Sequence, residues 1–285
     1  MVGSVYKRLS WVAIPFVLAV LLPDGARAFV LNWGASTWTA GTPTAATPVS
    51  QIFTTSNASV NVKITISEVN GGSGAPTWTT ATVAGVAPGI SFGTTLTPGG
   101  YNALITALSA DPLGSYVKVA VSFVLSSNNS TLVPVTSVST NIFDVDMSAT
   151  ARGNNYTDKI SNVLGTTSSG GTVGVSSTTH GSDNTVNGTG TATTDTGTVN
   201  IGGGGANNDG NSTGNFGFSY GNQAVTGFSF QWANSVGTTG NGTNYQFIAL
   251  DNINFLIVPE IGPGIAALLL CFGAAALQWY RVRRA

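Results

Sequence analysis

Charge is what this sequence has least of: 7% of its 285 residues are Asp, Glu, Lys or Arg, against an ordinary ~25%. A surface so poor in ions has to be solvated by hydroxyls and amides, and Ser, Thr, Asn and Gly crowd the middle of the chain. Six of the ten bases sit at the ends, with Lys7, Arg8 and Arg27 at the start and Arg281, Arg283 and Arg284 at the finish. Residues 29–258 keep four bases (Lys63, Lys118, Arg152, Lys159) against nine acids, a net of −5. Nucleic acid demands clustered Lys and Arg for its phosphates, so it is excluded as a partner. The single cysteine, Cys271, excludes an intrachain disulfide. In its apolar surroundings a thiolate would be desolvated and inert.

Acid–base machinery is equally thin. The one histidine, His180, lies in a Ser/Thr/Gly stretch, so a Ser-His-Asp arrangement would need neighbours to hold that loop. A glycosidase pair needs two carboxylates across a cleft, whereas the acids here are mostly Asp in turn-like surroundings. The reading is a protein without catalytic activity.

Sustained helical periodicity is missing from residues 29–258; at most Tyr101 to Leu108 is expected to make a short helical turn. Period-two alternation stands in its place. In Val60 to Val69, Val60, Val62, Ile64 and Ile66 share one face and Asn61, Lys63, Thr65 and Ser67 the other, the pattern of a half-buried strand. Tyr116 to Leu125 repeats it, with Val117, Val119, Val121 and Phe123 inward. Val138 to Asp146, Gly197 to Ile201, Phe216 to Tyr220, Val225 to Trp232 and Tyr245 to Ile257 read likewise. Short strands between polar turns predict an all-β ectodomain, a β-sandwich or jelly roll. Residues 165–215, rich in Gly, Thr, Ser and Asn, are expected as long hairpin loops at one edge. A boundary near 126–134 would divide a small N-terminal β unit from a C-terminal sandwich.

The two ends read as addresses. Lys7 and Arg8 precede the apolar run Trp11 to Leu22, and Ala26-Arg27-Ala28 supplies the small-x-small site of a secretory signal peptide. The run is short for a membrane span of ~20 residues, so residues 1–28 are expected to be removed by signal peptidase after Ala28 rather than kept as an anchor. At the other end, Ile261 to Tyr280 would make an apolar helix ~30 Å long. The arginines behind it hold the C-terminus in the cytoplasm and leave residues 29–258 outside. Trp279 and Tyr280 fall where an interfacial aromatic pair belongs.

A Pro-Glu motif, an apolar helix and a basic end, in that order over residues 259–285, resemble the PEP-CTERM sorting signal that exosortases process in Gram-negative bacteria. The resemblance implies that Pro259 and Glu260 are the recognised motif, Ile265 to Tyr280 the transient span and Arg281 to Arg284 the stop. Ile261 stands where the family usually has a second proline. The alternative is a permanent single-pass membrane anchor. Residues 136–258, with FDVDMS, YTDKISNV, VTGFSFQW and FIALDNINFLIVPE in turn, are similar to the choice-of-anchor β-sandwich ectodomains that precede such tails, families that mostly have no assigned activity.

Two sets of residues are candidate sites. Asp144 and Asp146, two apart in an expected strand, would share a face with Cα atoms ~6.5–7 Å apart. Joined by Asp158 and by Asp251 from the final strand, they would offer the hard oxygens that a structural Ca²⁺ takes; the plainer alternative is solvated strand charges or Asx-turn acceptors. The second set is aromatic. Trp33, Trp38 and Trp78 lie near turns, where an exposed ring would stack on a sugar, while Trp232 shares a face with Phe228 and Phe230 and reads as core. The functional expectation is an exported surface or extracellular-matrix structural protein; the competing one is a carbohydrate-binding sandwich that meets exopolysaccharide through Trp38 and Trp78.

Overall fold

The computed structural model describes residues 28–44, 46–71, 77–78, 89–92, 102–110, 114–145, 158–182, 184–187, 198–201, 213–234 and 246–258, with Gly273 and Tyr280. In chain order its strands are β1 (Ala28–Leu31), β2 (Val49–Thr54), β3 (Val60–Val69), β4 (Thr77–Trp78), β5 (Gly89–Phe92) and β6 (Asn102–Ala110). Then come β7 (Tyr116–Leu125), β8 (Val135–Phe143), β9 (Asp158–Thr166), β10 (Thr172–Val173), β11 (Ser177–His180) and β12 (Asn184–Asn187). The series closes with β13 (Thr198–Ile201), β14 (Phe216–Ser219), β15 (Gly227–Asn234), β16 (Gln246–Leu250) and β17 (Ile253–Ile257). A 3-10 turn spans Trp33–Ala35.

These strands form two antiparallel sheets, the layers of a β-sandwich. One has eight strands in the order β12-β13-β9-β15-β7-β3-β2, with β10 beside β9. The other has nine: β1-β17-β8-β16-β6-β4, with β5 also on β6, β14 on β8 and β11 on β14. Alternation drives the facing, as β3 and β7 show. Val60, Val62, Ile64 and Ile66 are buried with Val117, Val119, Val121 and Phe123, while Lys63, Thr65 and Ser67 reach toward water. The sheets meet through ring pairs that cross the core: Phe123 of β7 lies 4.9 Å from Phe255 of β17, and Phe228 of β15 lies 5.4 Å from Phe218 of β14. Such aromatic contacts supply large apolar area with a preferred tilted or edge-on geometry.

Several expectations are corrected. Ala28–Ile257 is one compact unit, and no boundary falls at 126–134, because β7 before it pairs with β15 after it and β6 pairs with β16. Tyr101 to Leu108 contributes to β6, not to a helical turn: Leu104 and Leu108 face the main core, while Ala103 and Ile105 are buried on the opposite face beside Phe143 and Ala249. A strand buried on both faces shows no polar alternation to read. Asp251 and Asn252 do not lie in a final strand but separate β16 from β17. The third strand end differs too, for β8 stops at Phe143 and Asp144 turns away at φ 61°.

Among the described residues no helix is long and apolar enough to cross a membrane. The expected span from Ile261 lies outside them except for Gly273 and Tyr280.

Candidate functional site

The outer face of the nine-stranded sheet carries a groove where β17, β8, β14 and β11 lie side by side. Inward residues of β8 (Val138, Thr140, Ile142) are buried, so Ser139 and Asn141 face out. Register then sets polar rows across the strands. Asn254, Ser139, Ser219 and Ser177 form one; Asn141, Gly217 and Thr179 form the next. The groove over these rows encloses about 210 Å³. A second hollow of about 460 Å³ continues from it, sharing Asn141 and Thr179 and reaching His180 and Asn215.

Gly217 makes the middle of this face a notch. A Cβ there would run into Asn141 Oδ1 and Thr179 Oγ1, which close in from the two flanking strands. Asn141 is held in that pose from behind: its Nδ2 donates to Asp251 Oδ2 at 3.0 Å. Because an ionised carboxylate only accepts, this bond decides which end of the amide faces Asp251, and leaves Oδ1 over the notch. Asp251 is itself fixed, its N–H donating to the Asn141 carbonyl at 2.9 Å and its Oδ1 accepting from Asn252 N–H at 2.7 Å. Toward the second hollow, Asn184 Nδ2 donates to the Asn215 carbonyl at 3.1 Å. The Oδ1 atoms of Asn184 and Asn215 are buried without a hydrogen-bond partner.

Among the described residues lining the two hollows, His180 is the titratable one, exposed and with Nδ1 2.9 Å from the Gly181 carbonyl. Hydroxyls and amides make up most of the rest, with Phe143 and Phe218 beside them. Such a lining can exchange hydrogen bonds with a hydroxylated ligand; it presents no paired acid and base for proton transfer.

The residues singled out in the sequence are distributed elsewhere. Trp38 is only 9% exposed: its ring stacks on Phe53 at 6.1 Å and its Nε1 donates to the Gly41 carbonyl at 2.8 Å. The segment carrying it is gripped by Gln51, whose Oε1 accepts from Thr39 N–H and Ala40 N–H. Trp33 is buried against the same Phe53. Neither ring offers an open face to a sugar, which corrects the expectation of exposed turn tryptophans. Trp78 is in β4, paired with Leu108 of β6; its side chain lies outside the described residues.

Asp144, Asp158 and Asp251 are not in the expected register. Asp158 opens β9 in the eight-stranded sheet, fully buried, accepting from Trp232 Nε1 at 2.9 Å. Asp251 lies in the break between β16 and β17 and holds Asn141. Asp144 lies past the end of β8, so the strand geometry that would have aligned it with Asp146 does not apply, and Asp146 is outside the described residues. Among the described residues no three His, Cys, Asp or Glu side chains gather as a metal would require. Of the processing residues, Ala28 is the first of β1 and pairs with Leu256; Ala26, Pro259 and Glu260 lie outside the described residues.

Asn141, Gly217 and Thr179 were not singled out by sequence. The alternation around Val138 and Ile142 was the signal for the out-facing Ser139 and Asn141. Nothing local, however, joins residues 139–141 to 177–179 and 217–219.

The chain matches no protein-family model and no curated protein. Among solved structures it is similar to the N-terminal domain of a Streptococcus gordonii adhesin, at 10% identity and a TM-score of 0.35, over 84% of this chain and 52% of that one. The chain thus spans about half the length of the structure it matches. The β-sandwich assignment stands on the strands and core described above.

Proposed function

We propose that this protein is an exported, exosortase-sorted structural component of the cell surface or extracellular matrix, without catalytic activity. The observation that carries the reading is the extent of the compact unit, Ala28–Ile257. It is nearly the segment that signal peptidase cleavage after Ala28 and sorting at Pro259-Glu260 would leave. A sandwich poor in charge and rich in hydroxyls, with no paired acid and base among the described residues that line its outer groove, is suited to a scaffold or adhesive role.

Intact mass of the protein recovered from the outer envelope and medium tests this. The expected mature form begins at Phe29 and has lost Cys271 with the rest of the tail. Glu260→Ala is expected to leave a membrane-held precursor of higher mass. Mature surface protein that still carries Ile261 to Ala285 would favour the permanent anchor and overturn sorting.

A further inference from the structure

The strongest unassigned feature is the Gly217 notch. Its chemistry narrows the ligand by elimination. An anion finds no Lys or Arg among the described residues that line either hollow. A metal ion finds the nearby carboxylate already committed, since Asp251 Oδ2 accepts from Asn141 and Oδ1 from the Asn252 backbone. An apolar molecule would desolvate hydroxyls and amides without replacing their hydrogen bonds, at a cost of order 1–3 kcal/mol for each group.

A neutral polyol is what remains, and the notch suits one. Asn141 Oδ1 is a pre-oriented acceptor, and Thr179 Oγ1, facing it across Gly217, both donates and accepts. Neighbouring hydroxyls of a sugar ring present the same alternation of donor and acceptor at one edge. Because Asp251 locks the Asn141 amide before any ligand arrives, little rotamer freedom is lost on binding. The lack of a side chain at 217 lets Asn141 Oδ1 and Thr179 Oγ1 close in over the strand, so that a ring edge meets the two oxygens side by side.

Length follows from the rows. The row of Ser139, Ser219 and Asn254 is two residues along β8 from the row of Asn141 and Gly217, about 6.6 Å at the rise of a strand. A single ring cannot fill both rows and continue into the second hollow; linked rings can.

We propose that the outer face of β17, β8, β14 and β11 is a binding site for an uncharged polysaccharide, with Asn141 Oδ1 and Thr179 Oγ1 over Gly217 holding one ring and Ser139 and Asn254 the next. The site deepens the surface-protein reading by naming a ligand class. Binding itself does not depend on how the ends are processed, so failure here leaves the mass test of sorting untouched, and the reverse.

Affinity gel electrophoresis of the full chain in mild detergent tests the site, with dextran, linear β-1,3-glucan and galactomannan as neutral probes and alginate as the anionic one. The expected result is retardation by at least one neutral glycan and none by alginate. Thr179→Val, which removes the hydroxyl at nearly constant volume, and Gly217→Ala, whose Cβ displaces Asn141 Oδ1 and Thr179 Oγ1, should each weaken retardation about tenfold, as the loss of a hydrogen bond predicts. Ser50→Ala, on the eight-stranded sheet, should leave it unchanged. Circular dichroism shows whether the Gly217 variant remains folded; if it does not, Thr179→Val decides alone. Migration unaffected by every neutral glycan, retardation by alginate alone, or retardation equal in parent and Thr179→Val would each overturn the proposal.

Discussion

Tyr220 places its phenolic oxygen in the core with no hydrogen-bond partner. Its ring packs edge-on to Phe218 at 5.9 Å and tilted to Phe228 at 6.1 Å. Gly165 makes room for it, since a Cβ there would come within 2.8 Å of Tyr220 Cε1 and 2.9 Å of Val173 and Val225. A buried hydroxyl left unpaired costs about 1–3 kcal/mol. Tyr220→Phe should therefore be neutral to stabilising, by up to about 1 kcal/mol, or roughly 2–4 °C in Tm for a unit of this size. Burial also pushes the Tyr220 phenol well above its ordinary value. The unfolded chain ionises near pH 10 while the folded one retains its proton, so above that pH the unfolded state binds fewer protons and stability falls as pH rises. Melting curves from pH 8 to 11 should show this alkaline loss in the parent protein and a shallower one in Tyr220→Phe.

Among the elements, the break between β16 and β17 does the most to position the groove. Asp251 and Asn252 interrupt a run that is apolar on both sides, and their bonds explain why the chain bends there rather than continuing. Asp251 N–H and its carbonyl meet β8 through the Asn141 carbonyl and Thr140 Oγ1, at 2.9 and 3.2 Å. Asn252 Oδ1 accepts from Trp33 N–H at 3.1 Å, tying in the N-terminal turn. The break lets β16 pair with β6 while β17 pairs with β1. Asp251→Ala should cost about 1–2 kcal/mol, since two donors lose their carboxylate and water replaces only part of it. Asp251→Asn, which keeps an oxygen for one of them, should cost less. Thermal unfolding of the two variants beside the parent checks the order. β-Bulges act at the same scale. Ser137 at φ 52° lies where the β17–β8 register slips, and Asn162 at φ 52° where the β15–β9 register slips. An extra residue sends Val135 and Val138, or Ile160 and Val163, to the same side three positions apart, which a strict period of two does not anticipate.

For the whole molecule, the first and last strands of the compact unit are neighbours: Ala28 pairs with Leu256 and Leu31 with Ile253. A mature chain beginning at Phe29 would forgo one of β1's four register pairs and keep Leu31 fully buried. It should melt within about a degree of a chain that retains Ala28. A chain beginning at Asn32 loses the whole strand and the Leu31 side chain, a core loss of about 2–5 kcal/mol, and should melt roughly 5–15 °C lower. Differential scanning of the three forms makes the comparison. Equal midpoints for the chains starting at Phe29 and Asn32 would mean that β1 adds nothing to the sandwich.

Local pattern was enough for the all-β class and for β3 and β7 in full, because a period of two depends only on the residues within one strand and on which side meets water. The same locality explains the errors. β6 is covered on both faces, so its Ala and Leu carry no alternation; Trp38 looked exposed beside a turn, yet Phe53 and Gln51 from β2 close over it; Asp144 lay in an alternating run whose strand ends one residue earlier. The groove was beyond any local reading. Its rows are assembled from residues near 140, 178, 218 and 254, and only the antiparallel pairing of β8, β14, β11 and β17 brings those hydroxyls and amides into line. Gly217 read alone is a weak strand residue between two phenylalanines. In the folded sheet it is the space between Asn141 and Thr179, because cross-strand neighbours are set by register and register is set by bulges, breaks and the shared core.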